Sequence, residues 1–116
     1  MQKRNKERKL SRERGQRKAL LSSLARALVE REQVRTTLAK AKAVSPLVEK
    51  LVTRAKKGDL ASKREVARVL GQDMGKKMMG TIMPSFSQRK GGYTRIVKLG
   101  KSKENSAEMA VIEFVK

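Results

Sequence analysis

The 116-residue chain contains no cysteine, no histidine and no tryptophan, and its aromatic residues are one tyrosine and two phenylalanines. Without cysteine there are no disulfides, no thiolate metal sites and no thiol nucleophile, a composition that suits a reducing compartment. Without histidine the most common general base, the most common metal ligand and the usual partner of a serine nucleophile are missing. This composition is poorly equipped for catalysis. No apolar run approaches the roughly 20 residues that cross a bilayer. The opening "MQKRNKERKLSRERG" has basic residues but no apolar block of signal-peptide length, and its glutamates are foreign to a transit peptide. Negative charge is also scarce, with 11 Asp and Glu against 30 Lys and Arg.

What is present follows from that imbalance. A net charge of +19 on one small domain repels itself and calls for an anionic partner. The length suits one domain spanning 1–116, and its core must be aliphatic and methionine-based. Residues 1–18 carry nine Lys or Arg and two Glu, with Met1 and Leu10 as the large apolar residues. That stretch cannot build a core. It is either a solvated tail or, over residues 1–14, a basic arm that orders against a polyanion, and the basic character of the whole chain favours the arm.

From Arg14 to Arg31 the pattern is helical: Leu20, Leu21, Leu24, Ala27 and Leu28 recur at three- and four-residue steps, opposite Lys18, Ser22, Arg26 and Glu30. Gln33 to Thr36 reads as a short strand, with Val34 inward and Arg35 outward. Thr37 caps a second helix to Lys57, stopped by Gly58, with Ala41, Val44, Val48, Leu51 and Ala55 on one face and Pro46 introducing a kink. Asp59 caps a third helix over 60–70 and Asp73 a fourth over 74–83, closed by Pro84. Met74, Met78, Met79, Ile82 and Met83 read as a core face rather than a binding surface. Phe86 anchors a loop, and two strands follow, Tyr93 to Leu99 and Met109 to Val115. The expected fold is α+β in two layers: helix, strand, three helices, two strands, a small three-stranded sheet packed on helices, with a basic N-terminal extension.

The charges also select among polyanions. They are spread over tail, helices and loops rather than gathered on one amphipathic helix opposite Trp or Phe, which disfavours a membrane surface. Distributed cations suit nucleic acid, where each contact with phosphate releases counterions without reading a base. The helices flanking Gly71 could mimic a helix-turn-helix, but no Asn or Gln stands where a recognition helix would use it. Folded RNA, recognised by shape, fits a small body with a basic arm better than duplex DNA does. A metal-dependent nuclease would need clustered carboxylates, whereas Asp59 and Asp73 fit as caps and the nine glutamates are scattered.

Several segments taken together resemble a known family. "RKLSRERGQRKALLSSLARALVE", "VRTTLAKAK", "LVEKLVTRAKKGDL", "GGYTRIVKLG" and the closing "AEMAVIEFVK" are similar, in order and spacing, to the ribosomal protein L17 family of the bacterial large subunit. The likeness runs over nearly the whole chain. It departs from the family at Lys3 and Gln16, where histidines are usual, and in the Met and Gly content of residues 74–83. The resemblance implies a structural, non-enzymatic role without cofactor or metal in the cytoplasmic ribosome. It also implies large-subunit rRNA and neighbouring ribosomal proteins as partners, and a place near the peptide exit region.

The candidate RNA-binding residues come from both readings. Lys3, Arg4, Lys6, Arg8, Lys9, Arg12 and Arg14 form the arm, and Arg17, Lys18 and Arg26 extend it along the first helix. Thr36, Thr37, Lys40 and Lys42 surround a helix N-terminus suited to phosphate, although Thr37 can equally be a simple cap beside solvated lysines. Arg89, Lys90, Gly91, Gly92, Tyr93 and Arg95 form a glycine-thinned basic loop. In it Tyr93 either stacks on a base or packs in the core, and Arg95 is the stronger phosphate ligand.

Overall fold

The structure is a computed structural model that describes residues 13–104 and 106–115. The arm positions Lys3, Arg4, Lys6, Arg8, Lys9 and Arg12 lie outside the described residues. Helix α1 spans Arg14–Arg31 and buries Ala25, Leu28 and Val29, with Leu21 and Leu24 packed at the edge of the core. It ends at Glu32, whose left-handed conformation (φ 66°) lets its N–H reach the Leu28 carbonyl at 2.7 Å and turns the chain into a strand.

That strand, β1 (Gln33–Thr37), lies on one edge of a three-stranded antiparallel sheet of order β1-β3-β2, completed by β2 (Thr94–Lys101) and β3 (Glu108–Phe114). Cross-strand partners share a face, so Val34, Ile112 and Ile96 form one inward row and Thr36 and Ala110 begin the next. Arg35, Val111 and Val97 line up on the outer face, as do Gln33, Glu113 and Arg95. A register shift between Lys98 and Gly100 marks a bulge late in β2.

Helix α2 (Leu38–Lys57) lies across the inner face and touches all three strands. Its five expected apolar residues are buried, together with Val52. Thr37 caps it by accepting from the Lys40 N–H at 3.3 Å, and Gly58 ends it in the left-handed conformation. Pro46 does not divide it. Pro46 and Lys42 are both exposed, so the Lys42 carbonyl deprived of its partner has access to water, and the apolar stripe passes intact beneath them.

The third and fourth helical segments join as α3 (Leu60–Lys77), bent at Gly71. At φ 83° and ψ 165°, Gly71 holds a conformation that costs any residue with a Cβ, and the Arg26 guanidinium lies 3.9 Å from where that atom would be. Because the break falls at Gly71, Asp73 already has helical angles and caps nothing; its side chain makes no hydrogen bond among the described residues. Asp59 does cap the first leg, accepting from the Ser62 N–H at 2.9 Å. Beyond Lys77 the helix widens into a π-turn (Met78–Ile82) and then tightens into a 3-10 turn (Met83–Phe86), so Pro84 opens a last turn instead of ending the helix.

All three aromatic residues meet at the end of the core. Phe86 stands 5.2 Å from the Tyr93 ring and 6.0 Å from Phe114, with tilted planes. Next to this cluster a polar stripe of α2 holds the entry to β2. The Glu49 carboxylate accepts from the Tyr93 N–H (3.2 Å), the Thr94 N–H (2.8 Å) and the Thr94 hydroxyl (2.8 Å), and one turn earlier Ser45 meets the same hydroxyl at 3.1 Å.

Glu49→Ala would strip both amides of their partner, and we expect a loss of about 1–3 kcal/mol in unfolding free energy by denaturant titration. A change below about 0.5 kcal/mol would mean that water replaces the carboxylate there without loss. Asp59 provides a pH test. The Ser62 hydroxyl, and then the Ser62 amide, hold its carboxyl below the ordinary value of 3.8. A lowered folded value means stability that is present above about pH 4 and lost as pH falls through the folded pKa. The stability gap between wild type and Asp59→Ala should therefore be constant near neutrality and shrink in acid. Asp59→Asn, which caps without titrating, should remove that dependence.

Candidate nucleic-acid interface

Helical geometry sets the first basic surface. Arg14, Lys18 and Arg26 fall at multiples of four along α1, are exposed, and extend over about 18 Å of helix at 1.5 Å per residue. Arg17, one step round, is half-buried. At about 100° per residue Arg14 and Lys18 share the side of Ala25, Leu28 and Val29 but stand two or more turns ahead of them, exposed because α1 begins before its buried turns do, and Arg26 lies about a third of a turn round.

The second group surrounds the start of α2, and its members differ in availability. Lys42 is exposed and Lys40 half-buried, while the Thr37 hydroxyl is engaged by the Lys40 amide. Thr36 is 9% exposed and faces inward beside Ala110, so it cannot serve as an RNA ligand. The expected inward residue, Val34, lies on the same face but is only half-buried.

The third group is the loop before β2. Arg89 and Lys90 are exposed, and Gly92 (φ 62°) takes the left-handed turn that brings the chain back toward α2. Tyr93 is 3% exposed. Its ring belongs to the aromatic cluster and is no stacking platform. Its hydroxyl donates to the Arg89 carbonyl at 3.4 Å and accepts from the Lys56 ammonium at 3.3 Å, and the same ammonium lies 5.3 Å from its ring centre and donates to the Arg89 carbonyl. Ser45, Glu49 and Lys56 thus hold the loop from one side of α2, over sequence separations of 33 to 49 residues. Their helical spacing was visible in the sequence; their partners were not.

Arg95 is 54% exposed, but Glu113 across the strand holds it, with its Nε and a terminal nitrogen 2.9 and 2.8 Å from one carboxylate oxygen. It is therefore already oriented, and a phosphate would have to share it. The other ion pairs among the described residues are Arg54 with Glu65, and Lys77 with Glu32 at 3.9 Å, where Lys77 also donates to the Glu30 carbonyl at 2.7 Å and pins α3 to the end of α1. Sequence reasoning passed over further exposed cations, among them Arg35 on the outer sheet face and Lys63, Arg64, Arg68 and Lys76 on α3. Their four-residue step, Arg64 to Arg68, was the signal available.

Among the described residues no group of three or more acidic side chains is placed to hold a metal ion, and no helix is long and apolar enough to cross a membrane. The arrangement offers cations along α1, at the start of α2, in the 89–92 loop and on α3, over a body in which Glu32, Glu49, Asp59, Glu65 and Glu113 bond within the protein. Such surfaces bind phosphate backbones.

The sequence model of the family described as ribosomal protein L17 matches residues 20–115. Proteins named large ribosomal subunit protein bL17 are similar throughout. The one from Maricaulis maris is 46% identical over 109 residues, covering 93% of this chain and 78% of its own. That from Shouchella clausii is 45% identical over 116 residues, covering 92% and 97%. That from Erythrobacter litoralis is 47% identical over 110 residues, covering 94% and 79%. With a match of this extent, the chain belongs to the ribosomal protein L17 family.

Proposed function

We propose that the protein is a structural constituent of the large ribosomal subunit that binds large-subunit rRNA, mainly through phosphates, and supports subunit assembly and translation without catalysing a reaction. The observation that carries this reading is the direction of its charges. Thirty Lys and Arg face 11 Asp and Glu, and of those acids Glu32, Glu65 and Glu113 pair with cations while Glu49 and Asp59 serve backbone amides, so cations dominate the outer surface. The relatives' shared name supplies the ribosomal context. The family resemblance alone supports a place near the peptide exit region of a bacterial-type ribosome in the cytoplasm. Neighbouring ribosomal proteins would find an apolar surface on the outer sheet face, where Val97 and Leu99 are exposed.

Sedimentation of a cell lysate through a sucrose gradient, followed by immunoblot, tests the reading. The protein should migrate with the large subunit and leave it when ribonuclease digests the RNA; migration at the top of the gradient or with DNA would overturn the proposal. The arm can be measured separately. Deleting residues 1–12 removes six cations, and the salt dependence of rRNA binding should flatten by about 0.7–0.9 in log–log slope for each phosphate that no longer meets a cation. Arg14→Ala, Lys18→Ala and Arg26→Ala should each flatten it by about one such step.

A further inference from the structure

The bend at Gly71 folds the two legs of α3 toward each other, and between them lies an open cleft of about 470 Å³. Its lining is Lys63 and Ala67 from the first leg, Gln72, Gly75 and Lys76 from the second, and Met79 and Gly80 from the π-turn that follows. That volume lies in the range of small-molecule sites, about 300–1,000 Å³.

The two glycines differ in what they do. A Cβ at Gly75 would stand 3.3 Å from the Ala67 Cα, so Gly75 lets the legs approach. A Cβ at Gly80 would meet nothing within 4 Å. Gly80 therefore weakens its helix without serving the packing of the legs, and it sits in the π-turn, a distortion often found at functional sites. What Gly80 does is leave the cleft open. The rim is charged: the Lys63 and Lys76 side chains are exposed and have no hydrogen-bond or ion-pair partner among the described residues. Beside them Gln72 offers an amide that both donates and accepts.

We propose that this cleft receives an unpaired nucleotide of the bound RNA, a reading that rests on the rRNA-binding function above. The base lies against the Ala67 methyl and the Met79 thioether, Gln72 meets its polar edge, and Lys63 and Lys76 hold the flanking phosphates. An apolar side chain from a protein neighbour would fill the floor but leave both ammonium groups unanswered. A nucleotide satisfies floor and rim together.

Ultraviolet crosslinking of the full chain to large-subunit rRNA, with mass spectrometry of the crosslinked peptides, should find a nucleotide on peptides carrying Lys63, Lys76 or Met79. Gly80→Leu fills the cleft while improving helix propensity. It should keep or raise the thermal midpoint, abolish the crosslink and weaken rRNA binding about tenfold. The double variant Lys63→Ala with Lys76→Ala, both at exposed positions, should flatten the salt slope by about 1.4–1.8 and decides the matter if Gly80→Leu misfolds. Wild-type binding without a crosslink in the cleft, a crosslink to a protein instead, or unchanged affinity in the folded variants would overturn the nucleotide site and leave the rRNA reading standing. Failure of the wild type to bind rRNA at all would overturn both.

Discussion

Negative charge is the scarce resource of this molecule, and the fold depends on where its few carboxylates go. Glu49 is the central case. One carboxylate on α2 takes two backbone N–H groups and a hydroxyl at the start of β2, where the chain leaves an exposed loop and has no strand partner yet for those amides. Charge-assisted bonds to backbone amides are about twice as strong as neutral ones. Asp59 does the same for α3, and Glu113 orients Arg95 across the sheet. An acid used in this way holds the fold together without masking the surface cations.

The same economy shapes α2. Its apolar stripe covers all three strands, while Ser45, Glu49 and Lys56 on its flank hold the loop that contains the tyrosine. With only three aromatic residues in the chain, Tyr93 goes to the core, its ring tilted against Phe86. On the surface this loop offers Arg89, Lys90 and the exposed backbone around Gly92. The kink in α3 extends the logic to the far end of the molecule, where Gly71 turns what would be a straight helix into two legs with a basic-rimmed cleft between them.

Local signals in the sequence foretold local structure. The bounds of α1, the Thr37 and Asp59 caps, the Gly58 stop and the buried stripe of α2 each depend on residues within a turn of one another, and each appears in the structure. Thr36 was misjudged because Val34 and Thr36 share a face, and hydrophobicity alone ranks valine as the inner one; the position of α2 over the strand decides otherwise. Asp73 looked like a cap because aspartate usually is one near a helix start, but the left-handed glycine two residues earlier had already restarted the helix. The polar stripe on α2 and the ion pair of Arg95 were out of reach, since partners 18 to 49 residues apart are set by topology rather than by periodicity. The basic surface was legible in composition and only roughly in position: α1 carries Arg14 and Lys18 ahead of its buried turns, and α3 carries Lys63, Arg64 and Arg68 on the exposed side of its first leg.

Excess charge also ties folding to binding. Thirty cations on a body with a small aliphatic core repel one another in the free protein, and that repulsion opposes the compact state. A polyanion removes it, so any partner that binds only the folded form adds its binding free energy to stability. Added salt acts on the two in opposite directions, screening the repulsion within a free basic chain while weakening the binding of such a chain to a polyanion. A domain of this kind need not be very stable alone. Its core has to define the shape, its carboxylates have to hold a strand entry and a helix start in place, and a polyanionic partner would supply the counter-charge.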